Sequence, residues 1–261
     1  MGDPIAHSLS PVLHRAGYVA VGLDWEYDAA LVPAGGLAGF VAGLGAEWRG
    51  LSVTAPLKRE AMALADVVSD RAELVGSANT LLLTGGEVHA DNTDLPGAVA
   101  AVRERYDGSI RSATILGGGA TAASTGLAMV ELGAESVRVA VRQPERAEEA
   151  VVRIAAHHAA PGVEIISLDD ANDDTDAIVS TIPVAAQTDR LVAACAGVEV
   201  LFDVVYDPWP TPLSGVGGTV VSGLDLLVHQ AALQFTAFTG VAAPLAAMRA
   251  AGEAALRERT A

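Results

Sequence analysis

Lys58 is the only lysine in the chain, since the other fifteen of its 16 Lys and Arg residues are arginines. An ammonium group can be brought towards neutrality by its surroundings and can then give or take a proton, whereas a guanidinium group stays charged. The competing explanation is that Lys58 is an ordinary surface lysine, present by chance in a chain rich in Ala and Arg. We therefore treat Lys58 as a candidate acid–base residue. The residues around it distinguish this role from that of a surface lysine without function.

Four short polar clusters interrupt the otherwise apolar first third of the chain, at residues 7–11, 52–58, 77–80 and 90–94. Each falls at a predicted strand end or turn, which is where α/β proteins usually bind ligands. Hydroxyls, amides, one ammonium and two carboxylates suit a small polyhydroxylated acid. For any single cluster, however, helix caps and turns are the more common explanation.

A glycine-rich turn lies in the middle of the chain, with the sequence Gly117-Gly118-Gly119-Ala120-Thr121-Ala122. It follows a predicted strand at 112–116 and opens a predicted helix at 123–132. The pattern fits the dinucleotide fingerprint, in which glycines allow the tight turn and a close approach of the pyrophosphate to the helix N-terminus. We predict a dinucleotide site here.

The end of the next predicted strand, 137–141, indicates which dinucleotide is bound. An NAD site usually has an acidic residue at this place, but the chain continues Arg142-Gln143-Pro144-Glu145-Arg146. Arg142 and Arg146 can flank a 2′-phosphate with charge-assisted hydrogen bonds, which favours NADP. The alternative is a solvated arginine pair at the start of a helix.

The elements that carry these residues are of the α/β type. Further strands predicted at 163–167, 177–180, 198–205 and 219–222 alternate with helices, which indicates a Rossmann-type, doubly wound parallel sheet over 96–223. Residues 1–95 form a first α/β domain, with strands at 25–29 and 50–53, a hairpin of 80–84 with 88–91, and helices at 10–21, 34–44 and 57–65. We expect the helical stretch 224–261 to pack back onto this domain.

Bulk composition excludes several classes of protein. A net charge of −16 argues against nucleic acid or an anionic membrane surface as partner. Cys195 is the only cysteine and the six histidines lack metal-ligand spacing, so we expect neither disulfides nor a metal, with His157 and His158 solvated on a helix. With no membrane-spanning run or signal peptide, a cytoplasmic protein is expected.

The start of the chain lacks one expected element. An α/β domain would have an apolar strand before the turn that begins at Gly2, and no such strand is present. Either the fold does without it or the chain begins downstream of a natural start.

Six segments together resemble the signature series of shikimate dehydrogenases. They are residues 2–11, 52–58, 77–80, 91–94, 203–208 and 223–230, reading GDPIAHSLSP, SVTAPLK, SANT, DNTD, DVVYDP and GLDLLVHQ. The resemblance covers nearly the whole chain. It implies reversible reduction of 3-dehydroshikimate by NADPH in chorismate biosynthesis, by a monomer or homodimer.

The resemblance also implies roles for individual residues. Lys58 and Asp94 would form the catalytic pair. The substrate would contact Ser8, Ser10, Thr54, Asn79, Asn92, Asp94, Tyr206 and Gln230. NADP would be held by the glycine turn (Gly117, Gly118, Gly119, Ala120, Thr121) and by Arg142, Gln143, Arg146, Thr181, Val204 and Gly223, with Asp70 on the nicotinamide side.

The sequence departs from the family pattern at a few positions. Ser52 stands where the family usually has Asn, and Val141 and Gln143 replace the Asn and Thr that commonly flank the arginine. Within the family, quinate or an aminoshikimate remains an alternative substrate. A non-catalytic NADP-sensing regulator is the alternative outside it, because a fold does not fix a function.

Overall fold

A computed structural model describes residues 1–171 and 175–260, and it divides into two compact units. The first consists of Met1–Thr93 with Leu227–Ala261, and the second of Asp94–Leu226. The divisions fall near the limits of 95 and 223 expected from the sequence. Ala261, the last residue of the predicted C-terminal segment, lies outside the described residues, as do residues 172–174 in the predicted Rossmann domain.

Helices and strands alternate along the described chain. The helices are α1 (Ser10–Val21), α2 (Leu37–Ala42), α3 (Lys58–Leu64), α4 (Asp70–Val75), α5 (Asp94–Arg105), α6 (Ala120–Glu131), α7 (Glu148–Ala155), α8 (Asp189–Ala194), α9 (Gly223–Thr239) and α10 (Leu245–Thr260). The strands are β1 (Gly50–Ser52), β2 (Val67–Val68), β3 (Thr80–Thr84), β4 (Glu87–Asp91), β5 (Ser112–Leu116), β6 (Ser136–Val141), β7 (Gly162–Ser167), β8 (Ala177–Ser180), β9 (Val200–Asp203) and β10 (Thr219–Ser222).

The second unit contains a six-stranded sheet in the order β10-β9-β8-β5-β6-β7, in which every neighbouring pair is parallel. This is the doubly wound order with the chain reversing between β5 and β8, so the carboxyl ends of those strands border the crevice where such folds bind ligands. Strands β8 and β9 are buried along their whole length, as expected for parallel strands covered on both faces. The predicted Rossmann-type fold is confirmed.

The first unit contains a mixed sheet in the order β1-β3-β4-β2, with β1/β3 and β3/β4 antiparallel and β2/β4 parallel. The hairpin of β3 and β4 turns at Gly85 and Gly86, whose φ angles of 64° and 88° need glycine. Helix α10 packs on α1. The C-terminal segment thus completes the first unit, as expected.

Three expectations from the sequence are wrong. Residues 25–29 do not form a strand, because no backbone hydrogen bond joins them to another segment among the described residues. The C-terminal helical stretch is broken after Thr239, where Gly240 adopts a φ of 71°. His157 is buried and not solvated, since it lies beyond the end of α7, where its ring contacts Glu131 and accepts from the amide of Ala159.

Candidate functional site

Asn79 is the centre of a buried hydrogen-bond network in the first unit. It precedes β3, and its side chain is only 2% exposed. Asn79 Oδ1 accepts from the Thr80 hydroxyl at 2.7 Å and from the Thr93 amide at 2.8 Å. Asn79 Nδ2 donates to Thr93 Oγ1 at 3.0 Å and lies 3.4 Å from Gln230 Oε1. These contacts fix which end of the amide is the donor.

Gln234 is a member of this network that the sequence analysis missed. Its Nε2 donates to the Asn79 carbonyl at 3.0 Å and to Thr80 Oγ1 at 2.9 Å, and its Oε1 accepts from Ser52 Oγ at 2.7 Å. Gln234 follows Gln230 by four residues on α9, so both face the same side of the helix. That spacing is the signal that could have identified it.

Lys58 lies at the first position of α3 and is half-buried. Its carbonyl accepts from the Ala78 amide at 2.9 Å, which ties the start of α3 to the segment that carries Asn79. Thr54 is exposed one turn earlier, and its carbonyl accepts from the Leu57 amide. Two of the predicted clusters, 52–58 and 77–80, are therefore held together.

The cluster at 90–94 is held in place by an ion pair between Asp91 and Arg71 of α4. Asp91 accepts from the Ser69 hydroxyl at 2.6 Å and pairs with Arg71. Burial raises the pKa of Asp91, but the hydrogen bonds from Arg71 and Ser69 outweigh it, so the pKa lies below its usual value. Asn92 is fully buried and donates to the Ser77 carbonyl at 2.9 Å.

Asp94, the predicted partner of Lys58, is the first residue of α5 and of the second unit, and it is 8% exposed. It directly follows Thr93, whose amide and hydroxyl are bound by Asn79. A carboxylate in the first turn of a helix is stabilised by the helix dipole. The hydrogen bonds between Asn79 and Thr93 therefore fix the backbone that leads into Asp94.

Ser8 and Ser10 stand at the start of α1 and are both half-buried. The Ser8 hydroxyl accepts from the Ser10 amide at 3.3 Å, which is a local bond from backbone to side chain. Burial raises the pKa of Tyr27, and hydrogen bonds with Ser52 and Ser10 oppose that rise. Tyr27 thus links the serine cluster to Ser52, a contact that the sequence analysis did not anticipate.

The glycine turn of the second unit leads from β5 into α6. Gly117 has a φ of 109°, and a Cβ there would lie 2.4 Å from Thr181 Oγ1. A Cβ on Gly118 would lie 2.4 Å from the Arg146 carbonyl, so this glycine is required by packing. A Cβ on Gly119 would meet nothing within 4 Å. The space over Gly119 and the N-terminus of α6 is open.

That open space fits a pyrophosphate. Gly119 caps α6 without any side-chain hydrogen bond, so the first N–H groups of the helix, from Ala120 and Thr121 onward, have no side-chain cap. Backbone N–H groups and the positive end of a helix dipole bind phosphate without a basic residue. The residues present are therefore those that a dinucleotide needs at this position.

The predicted 2′-phosphate residues, Arg142, Gln143 and Arg146, follow β6 and are all exposed. Arg146 closes a short 3-10 turn, Pro144–Arg146, that precedes α7. No ion pair joins Arg142 or Arg146 to any residue in the described part of the chain. Two cations without local carboxylate partners suit an external anion.

The remaining predicted cofactor residues divide between the units. Thr181 donates to the Leu116 carbonyl at 2.8 Å beside the glycine turn, and Val204 follows β9. A Cβ on Gly223 would lie 2.2 Å from the Val204 carbonyl, which explains glycine there by packing alone. Tyr206 is half-buried in the second unit. Asp70 is exposed at the start of α4 in the first unit.

The described ranges 1–171 and 175–260 lack both a metal cluster and a membrane-spanning helix. No cluster of three or more His, Cys, Asp or Glu side chains could hold a metal ion there. No helix in those ranges is long and apolar enough to span a bilayer. Cys195 is buried, and burial raises the pKa of its thiol to about 11.

Comparisons with known proteins all point to one family. The family model for the shikimate dehydrogenase substrate binding domain matches residues 1–81, and that for the shikimate 5'-dehydrogenase C-terminal domain matches residues 223–251. The chain is 35% identical over 270 residues to the shikimate dehydrogenase (NADP(+)) of Methanopyrus kandleri. That alignment covers 96% of this chain and 92% of its relative.

Solved structures are also similar. The shikimate dehydrogenase of Mycobacterium tuberculosis is 40% identical, with a TM-score of 0.88 and coverage of 97% of both chains. The shikimate 5-dehydrogenase of Thermus thermophilus, solved in complex with NADP(H) and shikimate, is 29% identical, with a TM-score of 0.84. That match covers 98% of this chain and 97% of the other.

Proposed function

The chain belongs to the shikimate dehydrogenase family, and we propose from this membership that it catalyses the reversible reduction of 3-dehydroshikimate to shikimate by NADPH. One structural observation carries the proposal furthest. The sole lysine is tied through its carbonyl to Ala78, so the only lysine side chain of the sequence starts beside the buried Asn79 network.

Lys58 and Asp94 are proposed as the proton-handling pair. NADPH supplies the hydride for the ring ketone of the substrate. Charge then develops on the ketone oxygen, where the Lys58 ammonium stabilises it and delivers a proton. In this proposal the Asp94 carboxylate orients the ammonium. In the reverse direction the same groups accept the proton of the shikimate hydroxyl.

The substrate is proposed to bind through neutral groups of the first unit. Ser8 and Ser10 offer hydroxyls to the substrate carboxylate, and Thr54, Asn79, Asn92 and Gln230 face its ring hydroxyls, with Tyr206 from the second unit. Asn79 supports this role because its side chain is held in a fixed orientation, with Oδ1 accepting from Thr80 and Thr93 and Nδ2 donating to Thr93 Oγ1. Binding by hydroxyls and amides predicts modest ground-state affinity.

NADP is proposed to bind along the second unit. The open space over Gly119 and the uncapped start of α6 support a pyrophosphate there. Arg142 and Arg146, exposed and without carboxylate partners in the described chain, support a 2′-phosphate beyond it. Gln143, Thr181, Val204 and Gly223 would line the remainder, and Asp70 would lie on the nicotinamide side.

A spectrophotometric assay tests the proposal. NADPH oxidation is followed at fixed enzyme with 3-dehydroshikimate, and NADP reduction with shikimate, quinate and an aminoshikimate in parallel. We expect turnover with the shikimate pair and at least tenfold lower kcat/KM with quinate. Equal or higher activity with quinate or aminoshikimate would reassign the substrate, and no turnover with any of them would favour a binding protein that senses NADP.

The cellular setting follows from the same proposal. A shikimate dehydrogenase acts in chorismate biosynthesis, and a single, buried cysteine suits a reducing cytoplasm. The net charge of −16 disfavours nucleic acid as a partner. We propose a monomer or homodimer whose ligands are small molecules.

A further inference from the structure

Asp203 is a buried carboxylate to which neither the sequence motifs nor the proposed chemistry gives a role. It is the last residue of β9, which lies between β8 and β10 in the sheet of the second unit, and it is fully buried. The ion pairs of the described residues do not include it. A buried charge without a cation is costly, so hydrogen bonds must compensate for it.

Three hydrogen-bond donors surround this carboxylate. Asp203 Oδ2 accepts from Gln187 Nε2 at 2.9 Å and from the Thr211 hydroxyl at 2.7 Å, and Oδ1 accepts from the Val205 amide at 3.2 Å. The amide group of Gln187 is oriented by its other end, where Oε1 accepts from the Leu213 amide at 3.2 Å. Burial raises the pKa of Asp203, and the hydrogen bonds oppose that rise because they favour the ionised form.

These hydrogen bonds close a loop at both of its ends. We refer to residues 204–210, which follow β9, as the β9 loop. Val205 lies at the start of the loop and Thr211 directly after its end, and both donate to the same carboxylate. The bond from Gln187 joins this carboxylate to a third segment, the one that follows β8. Asp203 therefore fixes the path of the β9 loop from both sides.

The β9 loop carries two of the proposed ligand residues, Val204 for NADP and Tyr206 for the substrate. The Val204 amide donates to the Ser180 carbonyl at 3.0 Å, so Val204 continues the pairing of β9 with β8. Tyr206 lies beyond that pairing, between the two bonds that close the loop on Asp203. The position of Tyr206 therefore depends on Asp203, whereas that of Val204 is also set by the sheet.

We propose that Asp203 is a positioning residue for the substrate, which holds the β9 loop so that Tyr206 reaches shikimate. Asp203 is fully buried, so it acts through Tyr206 and not by contact. Asparagine could not replace it, because an amide has one acceptor oxygen and would turn its NH₂ group towards one of the three donors. This inference rests on the proposed function, since only that function gives Tyr206 a ligand.

Substitutions around Asp203 test the inference in the full chain. Thr211→Val removes the hydroxyl that donates to Asp203, and Gln187→Met removes a second donor from a different segment. Two variants are controls. Thr211→Ser keeps the hydroxyl, and Ser214→Ala removes a hydroxyl that donates to the Thr211 carbonyl at 2.7 Å. Steady-state kinetics with shikimate and NADP are measured well below the Tm of each variant. Binding of adenosine 2′,5′-bisphosphate reports the arginine side of the proposed NADP site.

We expect KM for shikimate to rise roughly fivefold or more in Thr211→Val and in Gln187→Met, because each loses one hydrogen bond that holds the loop. The value of kcat should stay within about threefold, since the proposed proton-handling pair is untouched. The Kd of the bisphosphate should stay within about twofold, because the β9 loop does not carry the arginines. Both control variants should behave as the wild type does.

Other results would overturn the inference. An unchanged KM for shikimate in both variants, together with a lower Tm, would show that Asp203 serves folding alone and would leave the proposed function intact. An equal loss of shikimate and bisphosphate binding would indicate general loosening of the second unit and would overturn it as well. If the wild type itself has no turnover with shikimate, the proposed function fails and the inference fails with it.

Discussion

Gln234 Nε2 donates to the Asn79 carbonyl at 3.0 Å, and Gln234 Oε1 accepts from Ser52 Oγ at 2.7 Å. One side chain of α9 therefore spans the segment before β3 and the end of β1. Ser52 occupies the position at which the family resemblance leads one to expect Asn. The shorter serine side chain reaches its partner here because a glutamine extends from the opposite helix.

Gln234→Leu should disturb the substrate side of the site selectively. The change removes the donor to the Asn79 carbonyl and to Thr80 Oγ1, and it removes the acceptor of the Ser52 hydroxyl, so we expect a loss of roughly 2–4 kcal/mol in the free energy of unfolding. KM for shikimate should rise several-fold while KM for NADP stays within twofold. Urea unfolding and steady-state kinetics measure both.

Two variants control this prediction. Gln234→Glu keeps the acceptor for Ser52 but loses the donor to Asn79, so it should share the KM effect. Leu233→Ala, at a neighbouring residue that is 39% exposed, should change neither quantity appreciably. An unchanged shikimate KM in Gln234→Leu would show that the network supports folding only.

Lys58→Ala should lower kcat by on the order of 10²–10⁴, which is the usual contribution of acid–base catalysis. Lys58→Arg should recover little of it, because a guanidinium keeps its charge but does not release a proton. Thermal unfolding should be nearly unchanged, since Lys58 is half-buried at a helix start. Wild-type turnover in Lys58→Ala would exclude this residue from catalysis.

Replacing Arg142 and Arg146 by alanine should convert the preference for NADPH towards NADH. Each charge-assisted hydrogen bond lost is worth about 1.5–3 kcal/mol, so KM for NADPH should rise roughly 10- to 100-fold per arginine. KM for NADH should not change, because NADH lacks the 2′-phosphate. Arg190→Ala, which removes an exposed arginine paired with Asp169, is the matched control.

His14 should make the first unit less stable in mild acid. Its ring stacks on Tyr27 at 4.2 Å, it is fully buried, and neither ring nitrogen has a hydrogen-bond partner among the described residues. Burial lowers its pKa from 6.5 to about 3. Below pH 6.5 the unfolded chain therefore binds a proton that the native His14 does not, so stability falls as the pH drops from 6.5 towards 3.

The size of this effect follows from the difference in pKa. At pH 5 the loss attributable to His14 is about 2 kcal/mol relative to pH 8. His14→Phe should remove that pH-dependent part, whereas His158→Gln, at an exposed histidine, should leave it in place. Urea titrations at pH 8 and pH 5 give the comparison, and an equal pH dependence in His14→Phe and wild type would contradict it.

Sequence patterns alone were enough to predict the parallel sheet, the position of the glycine turn and the family. Buried strands of Val, Ile and Ala alternate with helices, and this period depends only on local sequence. The polar clusters could be recognised as candidates because four of them recur at successive strand ends and turns, although each one alone could be a cap or a turn.

Other features were decided by tertiary contacts. Whether 25–29 forms a strand depends on a neighbouring edge, and whether His157 is buried depends on Glu131, 26 residues away. The part played by Gln234 depends on residues more than 150 positions distant in the chain. Hydrogen bonds between remote segments leave no periodic trace in a sequence, because only folding brings the partners within reach of each other.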